Sequence, residues 1–374
     1  MALLLPATRP AAPSTVAVSS NAIRDNTALL RSRCGTPVMA VVKAGGFGLG
    51  AVTAARAALA GGADELGVAT CTEAIELRRA GIEAPILSWM LHDDAPIRDA
   101  VALGVRLAPT STAQLARVAE AALSAGVVAE IEIEVETGMN RSGAPRAQWR
   151  ALFEAASATP GVSVAGIWTH LSGAAPEHFT EPLAQLDEAL ALARSLGLAP
   201  RRHAGASLAA TVDPRTRLDI VRLGASIFGI EPVPDRPVGL TPVATWETRV
   251  SQTRDARGGQ TVGYGRTPVH TATRLALIPV GYADGISRRA SADRHPMTVS
   301  IGGRRFPLIG AVSMDQSVIE AGDAPVMPGD RVVLLGDPAR GEPSLSEWAD
   351  ALGTIPQEVL TAIGPRVARR EVDA

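Results

Sequence analysis

The alternation of short apolar runs with alanine- and leucine-rich segments, from about residue 16 to residue 230, restricts the fold more than any other feature. Eight runs have the length and β-branched content of strands, and segments with helical periodicity lie between them. The runs are VMAVVKA, ELGVAT, APILSW, VRLAPT, AEIEIEVET, VAGIWTHL, RRHAGAS and IVRLGASIFGI. Eight such units over roughly 220 residues match a (β/α)8 barrel. A doubly wound open sheet is the alternative, although nothing in the pattern indicates a reversal of strand order.

A proline-rich segment, GIEPVPDRPVGLTP, follows the last run and has the composition of a linker. Beyond it the pattern changes to alternating β-type segments with frequent glycine, and helical periodicity returns only near the end of the chain. We therefore predict an α/β fold in which a (β/α)8 TIM-type barrel precedes a mostly β C-terminal domain. The expected boundaries are a tail at 1–13, the barrel at 14–235 and the C-terminal domain at 236–374.

Composition narrows the class of protein. A net charge of −2 and the absence of a basic stripe argue against a nucleic-acid partner. No apolar run is long enough to cross a bilayer, and the N-terminus is a weak signal-peptide candidate, so we expect a cytoplasmic protein without a membrane partner. The two cysteines, Cys34 and Cys71, lack metal-type spacing, and no metal site is expected.

The chain contains a single lysine, Lys43, among 36 basic residues. Arginine can replace lysine wherever only a positive charge is needed, but a guanidinium group cannot lose its proton near neutral pH and act as a nucleophilic amine. Lys43 also ends an apolar run and precedes a glycine-rich turn, VVKAGGFGLG. Both observations indicate a chemical role for this amine.

Other polar side chains also follow the predicted strands, where the active sites of such barrels lie. They are Thr110, Arg141, His170, Ser207 and Arg222. The chain has only two tyrosines, Tyr264 and Tyr282, and each follows a glycine at the end of a strand-like segment. Packing is the ordinary role of tyrosine, but this placement favours use of the phenol.

An amine at a strand end suggests a Schiff base, formed either with a carbonyl substrate directly or with pyridoxal phosphate. The second possibility needs a cradle for the phosphate. The segments HAGAS and RLGAS could provide one from backbone N–H groups and the Ser207 hydroxyl. Either segment alone is weak evidence, because such turns are common.

Together these residues resemble the alanine racemase family. The similarity extends in order over nearly the whole chain, through VVKAGGFGLG, ETGMNRSG, WTHLSG, HAGAS, VRLG, VGYGRT, PVGYADG, GAVSMDQ and IGPRVARR. The resemblance implies a pyridoxal 5′-phosphate enzyme of fold type III that interconverts L- and D-alanine and supplies D-alanine for cell-wall peptidoglycan. It also implies a homodimer whose active sites are shared between subunits.

The resemblance further implies specific roles. Lys43 would carry the cofactor and act as the base on one of its faces, and Tyr264 of the partner subunit would be the base on the other, because racemisation needs a proton to leave one side and return on the opposite side. Arg141 and His170 are candidates to polarise that phenol. The remaining expected site residues are Ser207, Gly224 and Ala225 at the phosphate, Arg222 at the pyridine nitrogen with His170 linked to it, Arg141 and the backbone of Met314 at the substrate carboxylate, and Tyr282 at the entrance.

The chain departs from the family pattern at several positions. Phe47 and Leu49 stand where the lysine motif commonly has tyrosine and histidine, and Pro365 replaces a tyrosine that is often found late in the chain. The missing tyrosine hydroxyl at position 47 should weaken cofactor retention. Glu134 occupies the place of a lysine that many members carbamylate, and we hypothesise that its carboxylate supplies the same negative charge beside Arg141.

These departures leave open a paralogue that racemises serine or a broader set of small amino acids. A non-catalytic pyridoxal-phosphate-binding protein is less consistent with the second domain and with Tyr264. A basic amino acid decarboxylase would need a cysteine in the C-terminal domain, whereas both cysteines precede residue 72. A cofactor-free aldolase would show no cofactor absorption.

Overall fold

The computed structural model describes residues 12–291 and 297–373, which form two compact units. One unit comprises residues 20–241. The other comprises the described residues from 242 onward together with the first strand of the chain, β1 (Ser14–Ser19).

Residues 20–241 form the predicted barrel. Its strands are β2 (Val38–Val41), β3 (Glu65–Thr70), β4 (Ile86–Met90), β5 (Arg106–Leu107), β6 (Ala129–Glu134), β7 (Val162–Trp168), β8 (Arg201–His203) and β9 (Val221–Leu223). All adjacent pairs are parallel, in the order β8-β7-β6-β5-β4-β3-β2-β9. Backbone hydrogen bonds from Asp219 to Arg202 and from Arg222 to Gly205 join the two end strands, so the barrel is nearly closed. The eight predicted strands are the eight observed.

Helices connect the strands of the barrel. They are α1 (Ser20–Cys34), α2 (Lys43–Phe47), α3 (Ala51–Ala60), α4 (Cys71–Arg79), α5 (Ile97–Ala102), α6 (Thr112–Ala125), α7 (Trp149–Ala158), α8 (Thr180–Ser195) and α9 (Ser207–Val212). Local sequence sets their ends: Ser111 caps α6 by accepting a hydrogen bond from the Gln114 amide, and Gly126 ends it at φ 67°. The alanine-rich faces of these helices are buried, as are all four residues of β2.

The second unit is mostly β, as predicted. Its further strands are β10 (Ala244–Arg249), β11 (Gln252–Ala256), β12 (Thr261–Val262), β13 (Thr267–Pro268), β14 (Thr273–Ile278), β15 (Thr298–Ile301), β16 (Arg304–Ile309), β17 (Ser317–Gly322), β18 (Arg331–Leu335) and β19 (Ala368–Val372). Nine strands form one sheet in the order β11-β14-β17-β16-β15-β18-β10-β1-β19, and β12 and β13 form a separate hairpin. Two helices, α10 (Leu345–Leu352) and α11 (Pro356–Ala362), belong to the same unit.

The first strand does not lie where the expected boundary at residue 14 placed it. β1 pairs antiparallel with β10 and parallel with β19, in the sheet of the second unit. Its residues alternate between buried and partly exposed, whereas β2 is buried throughout. That alternation is typical of a strand with one solvated face rather than of a barrel strand that is covered on both faces. The structure divides the units at residues 241 and 242.

Across the described residues, no helix combines the length and the apolar character that a membrane span requires.

Candidate functional site

Lys43 lies two residues beyond β2, at the start of α2. This short element is a left-handed turn rather than a regular α-helix. Residues 44–47 have φ values of 54°, 62°, 67° and 55°, a conformation that glycine adopts easily and other residues rarely do. Glycine at position 46 also avoids a close approach, because a β-carbon there would lie 3.0 Å from the Ala51 amide nitrogen. The glycine-rich sequence after Lys43 therefore has a local structural reason.

Glu73, in the first turn of α4, holds this turn in place. One of its carboxylate oxygens accepts a hydrogen bond from the Ala44 amide at 2.5 Å, and the other accepts from the amides of Ala69 and Thr70 at 2.9 Å each. Because these amides belong to two neighbouring strand ends, a single carboxylate fixes the backbone on which Lys43 is placed. Sequence analysis did not identify Glu73.

The surroundings of Lys43 favour its neutral amine. Burial lowers the pKa of its ammonium group, and the positive charges of Arg141 and Arg222 lower it further, whereas Glu73 acts in the opposite direction. Nζ of Lys43 lies 5.8 Å from the centroid of the Trp89 ring. A lysine with a lowered pKa is better able to act as a nucleophile and a base.

Arg222, on β9, is buried and firmly held. Its NH1 lies 2.6 Å from Nδ1 of His203, and its NH2 donates to the backbone carbonyls of Thr169 at 2.8 Å and Ala204 at 3.0 Å. Nδ1 of His170 lies 3.1 Å from the same NH2, which is the expected link between these two residues. Burial lowers the pKa of Arg222 to about 10, so the group remains a cation and a pure donor at neutral pH.

Trp168, at the end of β7, covers this region. The guanidinium carbon of Arg222 lies 4.7 Å from the centroid of the Trp168 ring, and the His203 ring stacks on Trp168 at 5.6 Å with an interplanar angle of 8°. Trp89 packs edge-on against Trp168 at 6.3 Å. The side chains that surround Lys43 and Arg222 thus form one contiguous aromatic and cationic group at the carboxyl ends of the barrel strands.

The expected phosphate region lies after β8 and β9. Ser207 begins α9, and its hydroxyl oxygen accepts a hydrogen bond from the Ser226 amide at 3.5 Å, so the two turns approach each other. A β-carbon built on Gly224 would lie 3.3 Å from Cζ of Phe47, whose ring packs 4.6 Å from that of Phe228. The atom that would carry a tyrosine hydroxyl at position 47 therefore faces the turn that contains Gly224 and Ala225.

Arg141 follows β6 on an exposed loop and belongs to the same barrel end. The neighbouring Ser142 donates a hydrogen bond to Glu134 at 2.9 Å, which ties the loop to the strand. Burial raises the pKa of Glu134, while Ser142, Arg222 and Arg141 lower it. Glu134 is thus within electrostatic reach of Arg141, but the raised pKa opposes ionisation of its carboxyl group, and our hypothesis about its charge stays a prediction.

The three expected residues of the second unit lie on one cluster of loops. The amides of Tyr282 and Ala283 donate to the carbonyls of Ser313 and Met314 at 3.0 Å each, so the two loops are paired. Gly263, which precedes Tyr264, has a φ of 66°, and a β-carbon there would lie 3.1 Å from the amide nitrogen of residue 311.

These side chains also reach the surface of their unit. The exposed fractions are 81% for Tyr264, 41% for Tyr282 and 53% for Met314. Large side chains so exposed on one loop cluster are typical of a surface that contacts another molecule.

Arg366 braces the paired loops and was not identified from the sequence. Its Nε lies 3.2 Å from Asp284, and its NH1 lies 2.7 Å from Asp315. Asp284 is buried and also accepts a hydrogen bond from the Gly281 amide at 2.9 Å. The two aspartates thus have a structural role in holding these loops together.

Comparison with known proteins identifies the relatives of the chain. Family models described as "Alanine racemase, N-terminal domain" and "Alanine racemase, C-terminal domain" match residues 18–232 and 243–371. An alanine racemase of Salinispora tropica is 43% identical over 93% of this chain and 95% of its own length. One of Thermobifida fusca is 42% identical over 94% and 96%.

Solved structures agree with the sequence comparisons. The alanine racemase of the D-cycloserine producer Streptomyces lavendulae has a TM-score of 0.94 and is 36% identical, covering 97% of this chain and 98% of its own. The alanine racemase of Bartonella henselae, solved with covalently bound pyridoxal phosphate, has a TM-score of 0.86 and is 26% identical, covering 96% of this chain and 100% of its own. Both similarities extend over the barrel and the second unit.

Proposed function

Because the chain belongs to the alanine racemase family, we propose that its pyridoxal-phosphate-dependent racemisation of alanine uses Lys43 on one face of the cofactor and Tyr264 of the partner subunit on the other. The carrying observation is Lys43, the one lysine of the chain, at a strand end among groups that lower the pKa of its ammonium. We also propose that the protein is cytoplasmic and that the D-alanine it forms is used for peptidoglycan synthesis.

The donors at the carboxyl end of the barrel fit the cofactor. Among the hydrogen bonds of the described residues, Nε of Arg222 has no acceptor, although the side chain is only 5% exposed. A pyridine nitrogen is an acceptor that would use this donor. Ser207 and the turn at Gly224 and Ala225 offer a hydroxyl and backbone N–H groups for a phosphate.

When bound, pyridoxal phosphate supplies an electron-withdrawing ring that acidifies the Cα proton of the amino acid. Arg222 would donate a hydrogen bond to the ring nitrogen and keep its own proton, which would limit electron withdrawal and disfavour side reactions. Nζ of Lys43 and the phenol oxygen of Tyr264 then exchange a proton with opposite sides of Cα. His170 remains neutral, because burial and the nearby Arg222 lower its pKa to about 3.

In this proposal, substrate binding draws on residues of two subunits. Arg141 and the backbone amide of Met314 would hold the carboxylate, and Tyr282 would narrow the entrance so that a small side chain is preferred. The exposure of Tyr264, Tyr282 and Met314 supports their contribution to the site of a second subunit, and hence a homodimer.

The single lysine makes the test unusually sharp. We expect purified holoenzyme to form D-alanine from L-alanine, and borohydride reduction to fix the cofactor on Lys43. A lysine-specific protease should cut the denatured, unreduced chain only after residue 43 and should leave the reduced chain intact. Reduction after removal of the cofactor is the control and should leave the cut unaffected. A reduced holoenzyme that is still cleaved would refute the assignment of Lys43.

Faster turnover of L-serine than of L-alanine would favour a paralogue.

Replacement of Phe47 by tyrosine should tighten cofactor binding. A hydroxyl on Cζ would face the turn at Gly224, and a hydrogen bond to a charged group is worth about 1.5–3 kcal/mol. We therefore expect the Kd of pyridoxal phosphate to fall by about 10-fold or more in a titration of the cofactor-free protein. Phe47→Leu adds no donor and should not tighten binding. An unchanged Kd in Phe47→Tyr would contradict this reading.

A further inference from the structure

Hydrogen bonds connect Arg222 to a buried carboxylate on the opposite side of His203. NH1 of Arg222 lies 2.6 Å from Nδ1 of His203, and Nε2 of His203 lies 2.7 Å from Oε2 of Glu132. The exposed fractions are 5% for Arg222 and 0% for both His203 and Glu132. Because water does not reach these side chains, the hydrogen bonds between them determine where their protons reside.

Only one neutral tautomer of His203 satisfies both neighbours. A guanidinium nitrogen is a donor without acceptor capacity, so Nδ1 of His203 must accept from Arg222. The imidazole proton then resides on Nε2, where the Glu132 carboxylate accepts it. Burial and the positive charges of Arg222 and Arg201 favour the neutral ring over its cation, and the pKa of His203 is lowered to about 4 although Glu132 raises it.

Contacts with arginine side chains keep Glu132 as a carboxylate, so it accepts a hydrogen bond from Nε2 of His203 and has no proton of its own to donate. Its second oxygen accepts from NH2 of Arg201, and Arg106 lies 3.4 Å from the same oxygen. Glu65 in turn binds Arg201 with two contacts of 2.6 Å and Arg106 at 3.0 Å. The contacts with Arg201 and Arg106 therefore hold Glu132 as a carboxylate beside His203.

Trp168 restrains the imidazole ring from the side. Its indole is nearly parallel to the His203 ring, and the same indole lies against the Arg222 guanidinium. A rotation of the His203 ring about its Cβ–Cγ bond, which would put a ring carbon in place of each nitrogen, would have to displace this stacking. Trp168 thus fixes the orientation of the His203 ring, whereas Glu132 and Arg222 fix the location of its proton.

We propose that Glu132 is a positioning residue for Arg222. By accepting a hydrogen bond from Nε2–H of His203, Glu132 leaves Nδ1 unprotonated, so that Nδ1 accepts a hydrogen bond from the Arg222 guanidinium. Arg222 is then held with NH1 and NH2 occupied and Nε left for the cofactor nitrogen. This inference rests on the proposed role of Arg222 at the pyridine ring. It adds Glu132 to the residues on which the site depends, although this carboxylate contacts neither cofactor nor substrate.

The tautomer can be measured directly in the wild-type protein. Nitrogen-15 NMR of histidine-labelled protein, with and without cofactor, should show the His203 proton on Nε2, and the signal can be assigned by its loss in His203→Gln. The chain has six histidines, so the spectrum is simple. A proton on Nδ1, or a doubly protonated ring at neutral pH, would overturn the proposal without any variant at position 132.

Glu132→Gln tests the role of the carboxylate. Glutamine has one acceptor oxygen, whereas His203 and Arg201 each require one, so one of them must lose its bond. We expect the His203 tautomer to change or become mixed and the Kd of pyridoxal phosphate to rise about 10-fold or more. Glu132→Asp keeps the charge but shortens the reach, and it should act in the same direction. It also serves as the test variant if Glu132→Gln fails to fold.

Glu130→Gln is the matched control, because Glu130 lies on the same strand and also pairs with Arg106, at 2.8 Å, but does not contact His203. The control should keep the wild-type tautomer and cofactor affinity. If Glu132→Gln and Glu132→Asp lower only the thermal midpoint, with both other readouts as in Glu130→Gln, Glu132 is merely structural and the proposal is wrong. D-alanine formation by the wild-type protein tests the proposed function separately.

Discussion

Replacement of Lys43 by arginine is expected to lower the rate of alanine racemisation by about 10⁴-fold, since the proposed mechanism then loses both nucleophilic attachment of the cofactor and general base catalysis. The substitution keeps a long cationic side chain at position 43. The other 35 of the 36 lysine and arginine residues are arginine already. Charge and bulk therefore change little, whereas a guanidinium cannot release its proton at neutral pH. The measurement is the initial rate of D-alanine formation by variant protein saturated with cofactor.

The controls separate loss of chemistry from loss of folding. Lys43→Arg should keep the thermal midpoint of the cofactor-free protein, and small primary amines added to Lys43→Ala should restore part of the activity. Arg33→Lys, which places a new amine at an exposed position on α1, should neither restore the activity of Lys43→Arg nor impair the wild-type enzyme. Activity within tenfold of wild type in Lys43→Arg would contradict an essential amine.

The barrel was predictable because some of its strands, such as β2 and β9, are buried throughout. Runs such as VMAV in β2 are apolar throughout, and this pattern cannot be confused with a half-solvated sheet. By contrast, the expected boundary at residue 14 grouped β1 with the barrel, whereas the structure pairs it with β10 and β19 of the second unit. Its alternating residues identify a strand, but they carry no information about β10 and β19, its partners more than 200 residues away in sequence.

Candidate site residues could be named from the sequence where chemistry limits the choice of residue. An amine that arginine cannot replace identifies Lys43, and strand ends followed by glycine or serine identify the turns near Ser207 and Gly224. By contrast, Glu132 and His203 lie on non-adjacent strands, and nothing in either segment shows that they meet. The available signal was a charged residue inside a buried strand: such a group requires a partner, although the sequence does not say which.

Tyr264→Phe should reduce racemisation by about 10²–10⁴-fold while leaving cofactor binding intact, because in the proposed mechanism it removes only one of two opposed bases. The remaining base can still exchange the Cα hydrogen of one enantiomer. We therefore expect solvent deuterium to enter either L- or D-alanine much faster than the other, followed by NMR of the Cα signal. Tyr282→Phe is the matched control and should exchange both enantiomers. Equal exchange of both by Tyr264→Phe would exclude Tyr264 as a base.

Mixed dimers of Lys43→Ala and Tyr264→Phe subunits should recover activity that neither variant has alone. If each site combines Lys43 of one subunit with Tyr264 of the partner subunit, one site of every mixed dimer is wholly wild type and the other carries both substitutions. Random reassociation makes about half of the dimers mixed, so roughly a quarter of wild-type activity should return. Sites built within a single subunit contain at least one substitution in every combination, and mixing would then restore nothing. The 81% exposure of Tyr264 on its own chain favours recovery, because a catalytic phenol left open to solvent needs a second molecule to enclose it.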